Sequence, residues 1–242
     1  MPGMKLPICI ALVMCSLAAS AADVGLSGYA SDFTTLPSSS DWSTYSVSGS
    51  AGVVTTDAQL DSVVQTISAL SIAGALAPVA VSDPSSLAVW KSPGHYLQTR
   101  PVGNTATFLM STFRNTSSQT FLNVGVSITR ANAFPVTEEV PGWRVYYSLT
   151  GSAGDWNLVP TLSTVATGSD QATLPISWNS GSSLYVLFAD DNGSGSPDTA
   201  NIVNSFSIVV PEPSAIYLAA ALAAGALVLK HRGKRAKVSN VQ

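Results

Sequence analysis

Phe121-Leu122-Asn123-Val124-Gly125-Val126-Ser127-Ile128-Thr129-Arg130 alternates apolar and polar side chains with a period of two. Successive side chains of a strand point to opposite faces, so this period is that of a half-buried β-strand. Leu122, Val124, Val126 and Ile128 form the inward row, and Asn123, Gly125, Ser127 and Thr129 the outward one. The preceding run from Asn104 to Asn115 is equally β-rich and closes on Asn115-Thr116-Ser117-Ser118, so the two segments are expected to form a hairpin over a short polar turn.

The same reading extends to either side. Trp143, Val145, Tyr147 and Leu149 repeat the period, Trp156 to Leu162 returns the chain after Gly151-Ser152-Ala153-Gly154-Asp155, and Ala172 to Trp178 is a further strand. Ser183 to Ala189 is apolar on both faces, as a central strand is. Asn201 to Val210 closes the domain, with Val203, Phe206 and Ile208 as core contacts. Asp57 to Ala80 is ambiguous. Leu60, Val63, Val64, Ile67 and Leu70 have near-helical spacing, yet β-branched residues, Gly74 and Pro78 favour strand over a short helix. Ser27 to Ser50 reads as short edge strands or a loosely ordered arm within residues 22–50. The fold class is therefore all-β, an antiparallel β-sandwich of jelly-roll-like type over 22–209. A β-helix is the second possibility, but no fixed repeat supports it.

Both ends carry addresses. Lys5, the apolar stretch Leu6 to Leu17 and Ala19-Ser20-Ala21 have the three parts of a secretory signal peptide, residues 1–21, which sets the mature start at Ala22 or Asp23. Both cysteines, Cys9 and Cys15, lie inside it, and Met14 stands where a lipoprotein box wants a small residue. The mature chain thus has no disulfide and no thiol nucleophile. Ala215 to Leu229 contains no charge and, with Ser214, gives a 214–229 helix. Its length falls somewhat below the ~20 residues of a usual span. It is expected to cross the membrane once. Lys230, Arg232, Lys234, Arg235 and Lys237 follow it and hold the C-terminus on the cytoplasmic side.

Pro211-Glu212-Pro213, a short apolar helix and a basic tail, in that order and at the extreme C-terminus, resemble the PEP-CTERM sorting signal of Gram-negative bacteria over residues 210–237. The resemblance implies an exosortase, a membrane-embedded cysteine protease-transpeptidase, as processing partner. It also implies an ectodomain released or re-attached at the cell surface, in the setting of exopolysaccharide and biofilm matrix. Pro211, Glu212 and Pro213 match the motif, and Arg232 and Arg235 the basic tail; these residues are a substrate tag and not catalytic. From Asn115 onward the chain is also similar, more loosely, to the β-sandwich ectodomains common in such proteins. Their final strand often reads Ile-Asp-Asn/Asp-Phe, and Asn204 stands here in place of the acidic residue.

The charge excludes one class of partner. All 14 Asp and Glu lie between Ala22 and Pro213, against Lys91, Arg100, Arg114, Arg130 and Arg144, so the exported part is strongly acidic although the whole chain is only -3. Nucleic acid needs basic residues to displace phosphate counterions, and no such partner is expected.

The best candidate for chemistry is Asp190-Asp191-Asn192-Gly193-Ser194-Gly195-Ser196-Pro197-Asp198. Asp190, Asp191, Asn192 and Asp198 are hard oxygen donors on a turn-prone loop leaving a buried strand, a pattern that suits a structural calcium ion; an Asx-turn loop capping the sheet is the other reading. Catalytic sets are scarce. His95 is the ectodomain's one histidine, no Gly-x-Ser-x-Gly elbow is present, and Glu138 and Glu139, if on a strand, face opposite ways and cannot flank one glycosidic bond. Trp42, Trp90, Trp143, Trp156 and Trp178 belong either to the core or to a sugar-stacking platform, with Trp156 the first to suspect. The leading expectation is a non-catalytic surface or matrix protein. Next comes an exopolysaccharide-binding module with a structural calcium, and last a carboxylate-based hydrolase.

Overall fold

The computed structural model describes residues 21–48, 54–81, 83–103, 105–165, 167–193 and 196–210. Residues 1–20 of the expected signal peptide, the Pro211-Glu212-Pro213 motif, the span expected at 214–229 and the basic tail lie outside them. Among the described residues no helix is long and apolar enough to cross a membrane.

The chain is mostly β, arranged as two mixed sheets packed face to face. In order the strands are β1 (Ala22–Val24), β2 (Tyr29–Ser31), β3 (Trp42–Ser48), β4 (Ala77–Val79), β5 (Ser85–Lys91), β6 (Tyr96–Arg100), β7 (Thr105–Asn115), β8 (Phe121–Ala133), β9 (Arg144–Ser148), β10 (Asn157–Leu158), β11 (Gly168–Trp178), β12 (Ser183–Asp191) and β13 (Ala200–Val209), with one helix, α1 (Asp57–Gln65), after β3. The first sheet runs β7-β12-β9-β10, with β1 and β3 sharing the outer edge of β7. The second runs β11-β8-β13-β6-β5-β4, with β2 beside β6 on the edge of β13. Pairing is antiparallel except at β1–β7 and β4–β5, which are parallel and make both sheets mixed.

β12 shows why this sequence builds this core. Leu184, Val186 and Phe188 enter the cluster between the sheets, while Leu187 and Ala189 enter a second cluster on the outer face, beneath α1. A strand flanked by β7 and β9 and covered on both faces has no polar row, which is what its sequence reads. Between the sheets the contacts are aromatic: Phe113 of the first stacks on Phe206 of the second at 5.5 Å, and Trp42 meets Phe206 edge-on at 5.3 Å.

Three local expectations are corrected, and for residues 22–48 the edge-strand reading holds over the loosely ordered arm. Residues 105–115 and 121–133 are not a hairpin. β7 belongs to one sheet and β8 to the other, so Asn115 to Gln119 is an arch across the core. Asn115, fully buried, holds it: its amide donates to the carbonyls of Gln119 (2.8 Å) and Trp178 (3.0 Å), and its Oδ1 accepts from Ser117. Alternation says which face is apolar but not which strand is the neighbour. Within β8 the inward row begins at Val124 rather than Leu122, which is 56% exposed. Asn123 adopts a left-handed φ of 56°, opposite an irregularity in β11 between Leu174 and Ser177, and this shift brings Phe121 to the core instead.

Residues 57–65 are helix, not strand. Thr56 is the N-cap and accepts from Gln59 N, while Gln59 Oε1 accepts from Thr55 N at 2.8 Å, a reciprocal cap that outweighs the β-branched content. Residues 22–48 are ordered in three strands, because Val24, Phe33 and Trp42 are anchors in the main core.

Candidate functional site

The parity of β12 sends its last two residues, Asp190 and Asp191, to opposite faces. Asp190 crosses the core. Its Oδ2 accepts from Thr99 Oγ1 of β6 and from Asn201 Nδ2 of β13 (3.2 Å) in the opposite sheet, and Thr99 Oγ1 in turn accepts from Trp143 Nε1 at 2.7 Å. Asp190 is 1% exposed, and burial holds its carboxyl well above the usual range despite these bonds.

Asp191 turns outward beneath the β8–β9 loop. It is 2% exposed, and neither carboxylate oxygen has a hydrogen bond of good geometry among the described residues, although the amides of Val140 and of Asp191 itself lie near enough to favour its charged form slightly. Burial, then Glu139 and Glu138, push it up to about 7. Asp198 is in the same condition: buried, with Oδ2 unpartnered, and raised to about 8 by burial and then by Glu138, Asp191 and Glu139.

Three connections converge here. Asn192 Nδ2 donates to the carbonyls of Pro101 (3.2 Å) and Ser196, and Asp198 N donates to Pro101 O at 3.2 Å. Val136 N donates to Thr199 Oγ1 at 3.1 Å, tying the β8–β9 loop to the start of β13. Arg100 Nε donates to the main-chain carbonyl of Asp198 (3.3 Å), and its guanidinium lies over the Phe134 ring at 4.4 Å. A Cβ built on Gly193 would stand 2.6 Å from Val54 O and 3.3 Å from Glu139 Cγ, so the glycine lets this end of the sandwich close.

Of the residues anticipated from sequence, Asp191 and Asp198 meet in one buried patch, whereas Asp190 is committed to Thr99 and Asn201 and Asn192 bonds its own loop and Pro101. Glu138 and Glu139 join the patch. They lie in a loop bounded by Pro135 and Pro141, and only an extended strand would force them to opposite faces. The flanking prolines were the available signal. Glu138 Oε1 and Glu139 Oε2 are likewise buried without partner, and Glu138 Oε2 accepts from Gly142 N at 2.9 Å.

The tryptophans turn inward. Trp42, Trp143, Trp156 and Trp178 are all buried. Trp156 donates Nε1 to Ile67 O (2.7 Å), and Gln65 at the end of α1 donates to its carbonyl (2.8 Å). Trp90, half-buried, donates to Phe33 O and lies parallel to His95 at 6.4 Å.

Three surface depressions of about 340, 380 and 610 Å³ have only one carboxylate, Asp32, among their lining residues. The acidic patch is too deeply buried to embrace a sugar chain. What its chemistry suits is a bound proton; among the described residues no three His, Cys, Asp or Glu side chains are arranged to hold a metal ion. No protein-family model and no curated protein matches this chain.

Proposed function

We propose that this chain is an exported, non-catalytic surface or extracellular-matrix protein with a structural or adhesive role, sorted through its PEP-CTERM-like tail. The observation that carries the reading is how the folded unit abuts the two addresses. Ala22, where the signal peptide is expected to be cut, is already a core residue paired with Phe113. At the other end β13 runs to Val209, and Pro211 follows two residues later. A tail joined without a linker to a strand paired on both edges passes any pull on it into the sheet.

The finer architecture belongs to the same proposal. A jelly-roll reading is supported by the order of the last eight strands: β6-β13-β8-β11 in one sheet opposite β7-β12-β9-β10 in the other, all antiparallel. Residues 214–229 are the single span, and an exosortase-like enzyme is the processing partner. The exopolysaccharide-binding alternative loses its main support with four of five tryptophans inside.

The test is intact mass and localisation in the protein's own host, with and without the residues beyond Pro213. The expected species starts near Ala22, ends near the Pro-Glu-Pro motif and is found outside the cell. A full-length species kept in the inner membrane overturns the processing half of the proposal.

A further inference from the structure

We propose that the depression of about 610 Å³ on the outer face of the first sheet binds a neutral saccharide, with Tyr185, Thr112 and Leu70 as its principal contacts. The inference uses none of the tryptophans and stands whether or not the tail is processed.

The site follows from strand parity. Leu184, Val186 and Phe188 of β12 point into the main core, so Ser183 and Tyr185 point outward. On β7 the inward Leu109 and Phe113 leave Met110 and Thr112 outward, and on β3 the inward Trp42 leaves Ser43 outward. Thr112 pairs with Tyr185 and Met110 with Ser43, which sets these side chains next to one another as a floor. Ala69, Leu70, Ile72 and Ala73 form a wall. This segment is tied at both ends: Ala69 N donates to Gly151 O at 2.7 Å, and Thr44 and Gly74 exchange two main-chain bonds of 2.9 and 3.0 Å. Leu70 is thereby held out, 91% exposed, on a fixed strap. A Cβ built on Gly151 would stand 2.9 Å from the Tyr185 ring, so the turn packs directly against that edge of the ring.

The lining selects the class of ligand. It carries no charged side chain, which disfavours phosphorylated, sulfated and other ionic ligands. The side-chain hydroxyls of Ser39, Ser43, Thr112, Ser183 and Tyr185 all lack a hydrogen-bond partner among the described residues, and Ser43 is only 3% exposed. A hydroxyl both donates and accepts, as does each hydroxyl of a sugar. Five of them around the apolar surface of Leu70, Ile72, Met110 and the Tyr185 ring match a molecule with polar edges and C–H faces. A fatty chain in the same place would leave the hydroxyls it covers unsatisfied. The volume lies within the ~300–1,000 Å³ usual for small-ligand sites. Ala21 also lines the depression and belongs to the expected signal peptide; every group used here lies beyond it.

The test is retention of the full chain, expressed with export and purified in a detergent without a sugar headgroup, on a printed panel of neutral glucans, galactans, mannans and N-acetylglucosamine oligomers beside uronic-acid polymers. At least one neutral glycan is expected to retain it, and the best of them is then titrated by calorimetry. Tyr185→Phe and Thr112→Val each remove a hydroxyl and keep the shape, and each should weaken binding about five-fold, the worth of one hydrogen bond. Leu70→Ala should weaken it at least as much. Leu122→Ala, at an exposed leucine of β8 in the other sheet, should leave it unchanged. Should Thr112→Val fail to fold, Tyr185→Phe and Leu70→Ala read the same site. The proposal is overturned if the panel stays blank, if only the uronic-acid polymers retain the chain, or if the site variants bind as the parent does.

Discussion

The indole nitrogen of Trp143 donates to the hydroxyl of Thr99 across 2.7 Å, and through that hydroxyl the buried carboxyl of Asp190 is held between the two sheets. Thr99→Val keeps the volume and removes both bonds, leaving an indole N–H and a carboxyl under-satisfied in the core. The expected loss is about 2–4 kcal/mol, read as a lower midpoint in chemical unfolding, while Thr99→Ser retains most of the stability. A valine variant as stable as the parent would show that the network contributes nothing.

The helix is held to the first sheet by Arg144. Its Nε and Nη2 grip Asp61 at 2.5 and 2.7 Å, Nη1 reaches Asp57 at 2.6 Å, and Tyr146 donates to the same Asp61. Asp61 is 37% exposed, so solvent screens part of the pair. Arg144→Ala should cost about 1–2 kcal/mol. The loss should be local: amide exchange should quicken in residues 57–65 and remain unchanged in β8 and β13.

The acidic patch gives stability a definite slope with pH. A carboxyl raised in the folded state keeps a proton that the unfolded chain gives up near 3.8, so its contribution is full at acid pH and declines as pH rises. For Asp191 and Asp198 the decline runs from about 4 to about 7 and 8. The facing groups are Glu138 and Glu139 from the β8–β9 loop, with Arg100 on the Asp198 carbonyl. At about 1.4 kcal/mol per pKa unit, the loss amounts to a few kcal/mol for each of the two groups. Denaturant titrations in EDTA at pH 5 and pH 8 should find the parent weaker at pH 8. In Asp191→Asn the difference should shrink, and an equal slope in both proteins would count against the patch as its source.

Gly28 approaches β13 so closely that an added Cβ would lie 2.3 Å from the Ile208 carbonyl oxygen, at a φ of 76°. Gly154 has a similar φ of 83° and nothing within 4 Å. Gly28→Ala should therefore cost about 2–4 kcal/mol, from clash and left-handed strain together, and Gly154→Ala about 1 kcal/mol from strain alone. Paired thermal melts separate the two terms, and equal losses would mean that the packing against β13 is slack.

Much of the fold is legible locally because it depends on local periodicity. β12 reads as a doubly covered strand, β8 from Val124 to Ile128 as a half-buried one, and even α1 carries its reciprocal cap in Thr56 and Gln59, although its β-branched residues point the other way. The candidate site was legible only in part. Asp191 and Asp198 share one acidic stretch, but Glu138 and Glu139 lie some fifty residues earlier, and their loop is marked by nothing except Pro135 and Pro141.

Composition and spacing alone established a β-rich, acidic and cysteine-free stretch from Ala22 to Val210, since each of these follows from residue types counted along the chain. Which strands share a sheet did not follow, as the arch between β7 and β8 shows, because either neighbour satisfies the same alternation. Nor did the partner of Asp190, which lies 91 residues away at Thr99. Folding selects such contacts by burying two apolar faces together, and the carboxylates carried on the ends of those strands meet as a consequence of that packing.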